Sequence, residues 1–241
     1  RNKIVLELEE SNFKLKNEIT ERLLAEDQIH HFIYYDVLTQ LYNRKKVQED
    51  VDILLGNKNE KFAILFIDLD KFKSVNDKYG HLAGDNVLYD VAKRLKSIIR
   101  SMDTAYRIGG DEFIIILRNL TGIAYAQKIA VTIIDTLGVA FTYKGNQLFI
   151  NASIGISLFP DHGTDVDALL KNADLAMYKA KNMGGHSCIV YNSIMNDENI
   201  HMLETEKNLK NALENNEFIT YYQPIIDLKS MKVLSAESLI R

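Results

Sequence analysis

The chain has 241 residues, of which 46% are hydrophobic and 26% charged, and its formal net charge is −4. This composition is that of a folded globular protein and excludes a disordered chain. Because the charges form no basic cluster, we expect no binding to a nucleic acid polymer. The longest apolar runs, such as Phe62–Ile67, are the length of a strand, whereas a membrane-spanning helix needs ~18 apolar residues, so we expect no membrane contact by this chain.

Cys188 is the single cysteine, so no disulfide can form within the chain. A lone cysteine is typical of a reducing compartment, and we expect the chain in the cytoplasm. It begins at Arg1 without a methionine, which indicates a piece of a longer protein, one that a membrane segment elsewhere can tether.

Residues 1–35 lack glycine and proline and predict a helix. Apolar side chains follow a heptad register that Arg22 interrupts: Leu8, Leu15 and Ile29, with Ile19 and Ile33 four residues after the last two. Such a seam favours a coiled-coil-like linker that pairs two chains. The alternative is a plain surface helix.

From Phe62 onward, short apolar runs alternate with helical periods, which predicts a layered α/β or α+β domain with one sheet covered by helices. Several segments have the apolar content of strands: Phe62–Leu69, Thr104–Ile108, Glu112–Leu117, Leu148–Leu158 and Ser187–Tyr191. Two segments have the apolar spacing of amphipathic helices: Val87–Ile99 and Val166–Ala180. Thr164 and Asp167 are placed as a capping pair for the second helix.

An acidic cluster follows the first predicted strand, where Asp68 and Asp70 flank Leu69. Carboxylate and carbonyl oxygens are the ligands that Mg²⁺ prefers, so this strand end is a candidate metal site. The alternative is that one of the two aspartates caps the helix that follows.

A second cluster, Arg107–Phe113, lies between two predicted strands and indicates a tight hairpin with Gly109 and Gly110 at its turn. One interpretation is that the glycines let phosphates approach the backbone while Asp111 supplies a second carboxylate for the metal. The alternative is an ordinary hairpin, and spacing alone does not decide between the two.

Lys179 and Lys181 end the second amphipathic helix. Cations at a helix C-terminus commonly interact only with the helix dipole, so neither lysine alone indicates a site.

Taken together and in this order, these motifs resemble the GGDEF family of diguanylate cyclases. The resemblance begins at Asp36–Arg44, which is similar to the family's D-x-L-T-G-L-x-N-R segment, continues through Asp68–Asp85 and Gly109–Phe113, and ends near Tyr191. Residues 36–192 are thus identified as a GGDEF domain. The family fold resembles the palm of nucleotidyl cyclases and polymerases. It implies an α+β domain with a central, mainly antiparallel sheet flanked by helices, here preceded by an N-terminal signalling helix.

The resemblance implies an enzyme that condenses two GTP molecules into cyclic di-GMP and pyrophosphate. Two Mg²⁺ ions per active site, or Mn²⁺ in their place, would be held by Asp68, the Leu69 carbonyl and Asp111. Asp111 would also take the proton from the attacking 3′-hydroxyl. Lys73 would stabilise charge on the phosphates, and the backbone at Phe72 and Lys73 would cradle them.

Guanine recognition would, by the same resemblance, fall to Asn76 and Asp85, with His81 lining the pocket, while Lys181 would also bind the substrate. A carboxylate accepts hydrogen bonds from guanine N1–H and the exocyclic amine, whereas adenine offers an acceptor at N1. We therefore expect GTP to be preferred over ATP.

Two positions depart from the family pattern. Gln40 replaces the usual glycine of the entry segment, and Gly185 stands where the family commonly has an arginine that contacts phosphates. The second change is expected to weaken GTP binding or to lower the rate.

Arg100 and Asp103 form an R-x-x-D motif, and five residues separate it from Gly109. This matches the inhibitory site at which family members bind their product, where Arg100 would grip a phosphate or a guanine edge and Asp103 would accept from guanine. The alternative is a surface ion pair that contributes little.

The product is two-fold symmetric and each domain holds one GTP, so catalysis implies a homodimer with two domains face to face. The stretch Asn17–Arg22 running into Tyr35 and Asp36 resembles the linker that joins sensory domains, often of the PAS type, to this cyclase. An upstream sensory domain is therefore expected.

Residues 193–241 form a linker and then resemble the opening of an EAL-type cyclic di-GMP phosphodiesterase domain, at Phe218–Asp227 and Glu237–Arg241, with Ser238 in place of the usual alanine. In that family the glutamate that starts the second segment is a metal ligand, and the arginine that ends it would approach the dinucleotide. Roughly forty residues are too few for such a domain, so we expect no phosphodiesterase and a disordered tail.

The sequence thus predicts a diguanylate cyclase under feedback inhibition by its product. The alternative is a catalytically weak module that binds GTP or cyclic di-GMP and regulates an EAL phosphodiesterase downstream.

Overall fold

The computed structural model describes residues 14–22, 28–57, 60–215 and 217–240. These residues form two compact units, one up to Asn192 and one from Ser193 onward. Within the predicted linker, residues 14–22 and 28–34 are helical, and the heptad side chains Leu15, Ile19 and Ile29 are exposed. The predictions for Leu8 and Arg241 lie outside the described residues.

The first unit is a mixture of helices and strands. In chain order its elements are α1 (Arg44–Leu55), β1 (Phe62–Asp70), α2 (Phe72–Tyr79), α3 (His81–Ile98), β2 (Thr104–Gly109), β3 (Glu112–Leu117), α4 (Ile123–Gly138), β4 (Phe141–Tyr143), β5 (Asn146–Leu148), β6 (Asn151–Phe159), α5 (Val166–Asn182) and β7 (Cys188–Val190). The predicted strand over Leu148–Leu158 is thus divided, because the chain leaves the β4–β5 hairpin before it enters β6.

One sheet organises this unit, with the strand order β2-β3-β1-β6-β7. Every neighbouring pair is antiparallel except β6 with β7. This arrangement confirms the prediction of a central, mainly antiparallel sheet flanked by helices.

The central strand β1 is buried on both faces, which explains its unbroken run of apolar residues. Leu65 and Ile67 pack into a core with α3 and α4, whereas Ile64 and Phe66 belong to the opposite core with α1 and α5. Since side chains alternate along a strand, Asp68 lies on the face that α5 covers.

Helix α5 approaches β6 closely because Gly155 has no side chain. A Cβ at this position would lie 1.9 Å from the carbonyl oxygen of Ala173. This close packing fixes the path of α5, whose last turn carries Lys181.

The start of α5 differs from the predicted capping pair of Thr164 and Asp167. The helix begins at Val166, and the preceding Asp165 accepts the N–H of Ala168 at 2.8 Å. Asp165 has extended backbone directly before the helix, which is the conformation of a capping residue, so it takes the role that we predicted for Thr164.

The second unit consists of α6 (Ile194–Glu214) and a hairpin of β8 (Thr220–Ile226) with β9 (Val233–Ile240). Glu237, the glutamate of the EAL-like segment, pairs with Gln223 in this hairpin. The expectation of a disordered tail is therefore wrong for the residues described. None of the helices in the described ranges has both the length and the apolar content to cross a membrane.

The entry segment of the domain is tied to the β2–β3 hairpin by Arg107. The Asp36 carboxylate accepts from the backbone N–H and the hydroxyl of Thr39 and from the Arg107 guanidinium at 2.9 Å. Arg107 also donates to the Gly110 carbonyl at 2.8 Å. One guanidinium therefore fixes the hairpin turn to the residues where the linker ends.

Gln40 adopts the left-handed conformation, with φ of 56°. This explains why a glycine is usual at the position, since a side chain there costs conformational energy. Here the Gln40 side chain donates to the Val37 carbonyl at 2.8 Å, and Lys96 donates to the Gln40 carbonyl at 3.0 Å. The substitution is thus accommodated by local hydrogen bonds.

We predict that Gln40→Val lowers the free energy of unfolding by about 1–2 kcal/mol, because a β-branched side chain is strained in this conformation. Gln40→Gly should stay within about 1 kcal/mol of the wild type. Urea denaturation measures both, and Gln147→Val on the exposed strand β5 is the matched control. Equal stability of Gln40→Val and the wild type would contradict the left-handed assignment.

A second prediction concerns pH. Burial raises the pKa of Asp36, but the hydrogen bonds from Thr39 and Arg107 outweigh it and hold the pKa below its ordinary value. The stability that this carboxylate contributes is therefore present above its ordinary pKa and is lost as the pH falls through the folded-state pKa.

Asp36→Asn should accordingly cost about 1–2 kcal/mol of unfolding free energy at pH 7, and the difference from the wild type should shrink as the pH falls below about 4. Asp135→Asn, which alters an exposed carboxylate on α4, is the control. A difference that is the same at pH 7 and pH 3 would show that Asp36 does not act through its charge.

Candidate active site

The end of β1, which carries Asp68, lies beside the hairpin turn that carries Asp111, the second predicted metal-binding residue. Asp68 is paired in register with Glu112, and the N–H of Leu69 donates to the carbonyl oxygen of Asp111 at 3.2 Å. The hairpin turn therefore lies beside the acidic end of β1, as the sequence motifs led us to expect.

Asp68 is only 6% exposed and accepts a hydrogen bond from the Lys181 ammonium at 2.7 Å. Burial raises the pKa of the Asp68 carboxyl, Lys181 works against this, and two neighbouring carboxylates add to the rise. The net pKa lies above the ordinary value, so burial and the neighbouring carboxylates together outweigh Lys181. Burial lowers the pKa of Lys181, but the hydrogen bond to Asp68 and the charge of that carboxylate raise it by more. The ammonium therefore stays charged.

The donor set at this strand end suits a hard divalent cation. Asp68 and Asp111 offer carboxylate oxygens and Leu69 offers a carbonyl, which are the donors that Mg²⁺ prefers. Within the described part of the chain, no three His, Cys, Asp or Glu side chains converge on one point. A cation held here would therefore take its other ligands from water or from substrate phosphates, as Mg²⁺ commonly does.

Asp70 neither caps the next helix nor joins this pair. Its carboxylate accepts from the Ser153 hydroxyl at 2.7 Å and from the His186 N–H at 2.9 Å. Helix α2 begins after Lys71, and no side chain caps it. The capping alternative is therefore wrong for Asp70, which instead fixes the segment after α5 against the sheet.

Gly185 lies directly against Asp70. Its φ is 73°, and a Cβ here would lie 2.7 Å from the Asp70 Oδ2. Glycine therefore fits both the backbone conformation and the space, which accounts for the missing arginine in structural terms.

The predicted substrate-binding residues of the nucleotide pocket lie on two adjacent helices: Phe72, Lys73 and Asn76 on α2, and His81 and Asp85 on α3. Phe72 is buried at 7% exposure, whereas Lys73, His81 and Asp85 are exposed and Asn76 is partly buried. His81 and Asp85 are one turn apart and share a face of α3. The Asn76 amide lies against Gly84 in that same turn.

The candidate inhibitory residues are both present at the end of α3, but they form no ion pair with one another. Asp103 is 7% exposed, and its carboxylate accepts hydrogen bonds from the backbone N–H groups of Arg100 and Arg118 at 3.2 and 3.0 Å. The Arg100 guanidinium lies over the Tyr125 ring, 4.2 Å from its centroid. Asp103 thus holds the turn, which leaves the guanidinium on the surface.

A cavity of about 540 Å³ adjoins this turn. Its walls include Arg100, Asp103 and Lys96, together with Tyr35 and Tyr42 from the end of the linker and the entry segment. The cavity combines cations with aromatic rings, which suits an anionic ligand that carries bases.

Sequence reasoning missed three residues at this site. Glu112 pairs with Asp68 across the strands, and burial together with Asp174 and the site carboxylates raises its pKa. Arg107 orients the hairpin, and Gly84 contacts Asn76. The register of β1 with β3 would have identified Glu112, since paired residues share a face. No local pattern identifies the other two.

Comparison with known proteins agrees with the fold of the first unit. Residues 33–187 match the family model described as "Diguanylate cyclase, GGDEF domain". The signaling protein YkoW of Bacillus subtilis is 36% identical over 236 residues, which are 96% of this chain and 30% of YkoW. The cyclic di-GMP phosphodiesterase PdeR of Escherichia coli is 35% identical over 225 residues, 93% of this chain and 34% of PdeR.

The diguanylate cyclase TpbB of Pseudomonas aeruginosa is 38% identical over 186 residues, 76% of this chain and 42% of TpbB. A solved structure of its GGDEF domain has a TM-score of 0.66 and covers 70% of this chain and 99% of that one. The chain spans about a third of the length of YkoW and PdeR. The match to this family model supports a role in cyclic di-GMP signalling. By name, the relatives of this chain include both cyclases and phosphodiesterases. On its fold, its motifs and these relatives, the chain belongs to the GGDEF diguanylate cyclase domain family.

Proposed function

We propose that the chain is a magnesium-dependent diguanylate cyclase that condenses two GTP molecules into cyclic di-GMP and pyrophosphate. The observation that carries this proposal is the convergence of Asp68, Asp111 and Lys181 at one end of β1. A pair of neighbouring carboxylates, of which Asp68 is buried, is suited to divalent cations beside a triphosphate.

Each residue then has a chemical role. Asp68, the Leu69 carbonyl and Asp111 would hold the metal, which supplies charge neutralisation at the triphosphate and a more electrophilic α-phosphorus. Asp111 positions the attacking 3′-hydroxyl and accepts its proton. Lys73 and Lys181 stabilise negative charge on the phosphates.

The nucleotide base would lie against α2 and α3, where Asn76 and Asp85 face it and His81 lines the pocket. The Asp85 carboxylate accepts from guanine and repels the N1 acceptor of adenine, which favours GTP. The product needs two such domains, so the active species is a homodimer, and the N-terminal linker and an upstream sensory domain would control their approach.

A second function is favoured by Gly185 and by the phosphodiesterase PdeR among the relatives. Without an arginine at this position, the domain would bind GTP or cyclic di-GMP with little turnover. It would then regulate an EAL domain for which the β8–β9 hairpin is the first element.

Incubation of the purified chain with GTP and Mg²⁺ tests the proposal. We expect cyclic di-GMP to accumulate, with ATP turned over far more slowly. Asp68→Asn and Asp111→Asn should each lower the rate by at least about 100-fold, because each removes a charged ligand. Asp135→Asn, on the exposed face of α4, should leave the rate unchanged. GTP binding without any product would refute the cyclase and favour the regulatory module.

Feedback inhibition has a separate test. If cyclic di-GMP binds in the cavity beside Arg100, Arg100→Ala should raise the inhibitory concentration of product by roughly 10-fold or more, because a charge-assisted contact is lost. Lys93→Ala is the matched control, since Lys93 also places a surface cation over a ring, that of Tyr89. Inhibition that is the same in both variants and the wild type would exclude Arg100 from the site.

A further inference from the structure

Helix α3 contains a buried glycine, Gly84, one residue before Asp85. Glycine is disfavoured relative to alanine inside a helix, because it loses more backbone freedom on folding. The local backbone is helical, so no unusual conformation demands a glycine here. The packing around Gly84 should therefore explain why a glycine is present at this position.

The reason is the side chain of Asn76 on the neighbouring helix α2. A Cβ at Gly84 would lie 2.0 Å from the Asn76 Oδ1 and 3.0 Å from the Phe72 Cζ. The first distance is too short for non-bonded atoms and the second is tighter than an ordinary contact, so the amide occupies the space that a methyl group would fill. Within the described residues no hydrogen bond holds the Asn76 side chain, and packing against Gly84 sets its orientation.

We propose that Gly84 is a positioning residue that determines specificity for guanine, because its missing side chain lets the Asn76 amide lie against α3 at the residue before Asp85. This inference rests on the proposed function in one respect, namely that the base of GTP lies against α2 and α3. Gly84 itself touches no substrate and acts only through Asn76.

A methyl group at Gly84 turns the Asn76 amide away from its place. The Asn76 amide is the end of a flexible side chain and can turn away, whereas the Phe72 ring has to give way by only a few tenths of an ångström, so the helices need not separate and the fold is retained. Gly84→Ala should therefore fold normally and lose a contact to guanine. Normal folding together with weaker binding of guanine would distinguish Gly84 from a glycine that is needed only for packing.

The experiment measures binding rather than turnover, with the full chain. Calorimetric titration uses GTP and ATP analogues with a methylene group between the α- and β-phosphorus, so that no pyrophosphate can leave. Gly84→Ala should bind the GTP analogue roughly 5- to 100-fold more weakly, the range for losing one polar pairing to a base, with ATP-analogue binding changed less than about 2-fold. Gly138→Ala is the matched control, since a Cβ at that helical glycine meets only His186 at an ordinary 3.7 Å.

A double-mutant cycle shows whether Gly84 acts through Asn76. In the Asn76→Ala background, Gly84→Ala should cause no further loss of affinity, because the side chain that it displaces is gone. An equal loss in both backgrounds, unchanged binding by Gly84→Ala, or a Gly84→Ala chain that does not fold would each overturn the proposal. A wild-type chain that binds the GTP analogue but makes no cyclic di-GMP would refute only the cyclase, and a wild-type chain that binds neither analogue would refute both.

Discussion

The pairing of β1 with β3 is the constraint on which the site depends. It places the hairpin turn beside the acidic end of β1, so that Asp68 and Asp111 adjoin and Asp68 is buried on the face that α5 covers. Burial of a carboxylate is costly without a positive partner, and Lys181 at the end of α5 supplies only part of the compensation. The sheet register and the position of one helix therefore create a strand end that favours added positive charge.

Much of the site could be predicted from the sequence, because its strand, its acidic residues and its hairpin turn each depend on residues close together in the chain. The unbroken apolar run of β1 predicts a strand buried on both faces, and the acids at its end predict a polar site. The glycines at the hairpin turn place Asp111 at the same end. The partners of Asp70 were not predictable, because Ser153 and His186 come from distant segments that only the tertiary fold brings near.

The two departures from the family pattern have different physical bases. Gln40 keeps a left-handed backbone that glycine adopts more readily, and local hydrogen bonds support it. Gly185 fills a position with no room for a Cβ beside Asp70. The first change bears on stability, whereas the second bears on the proposed binding of phosphates, for which Lys181, bound to Asp68 at the acidic strand end, remains.

The proposed cyclase requires that Asp68, the Leu69 carbonyl and Asp111 bind divalent cations beside a nucleotide triphosphate. A crystal structure of the chain soaked with Mn²⁺ and a non-hydrolysable GTP analogue tests it most directly, because Mn²⁺ is located by its anomalous scattering. We expect Mn²⁺ among these oxygens and the nucleotide phosphates, with Lys181 moved from Asp68 toward the phosphates. A nucleotide bound elsewhere, or Lys181 still on Asp68 with no metal there, would exclude this metal site.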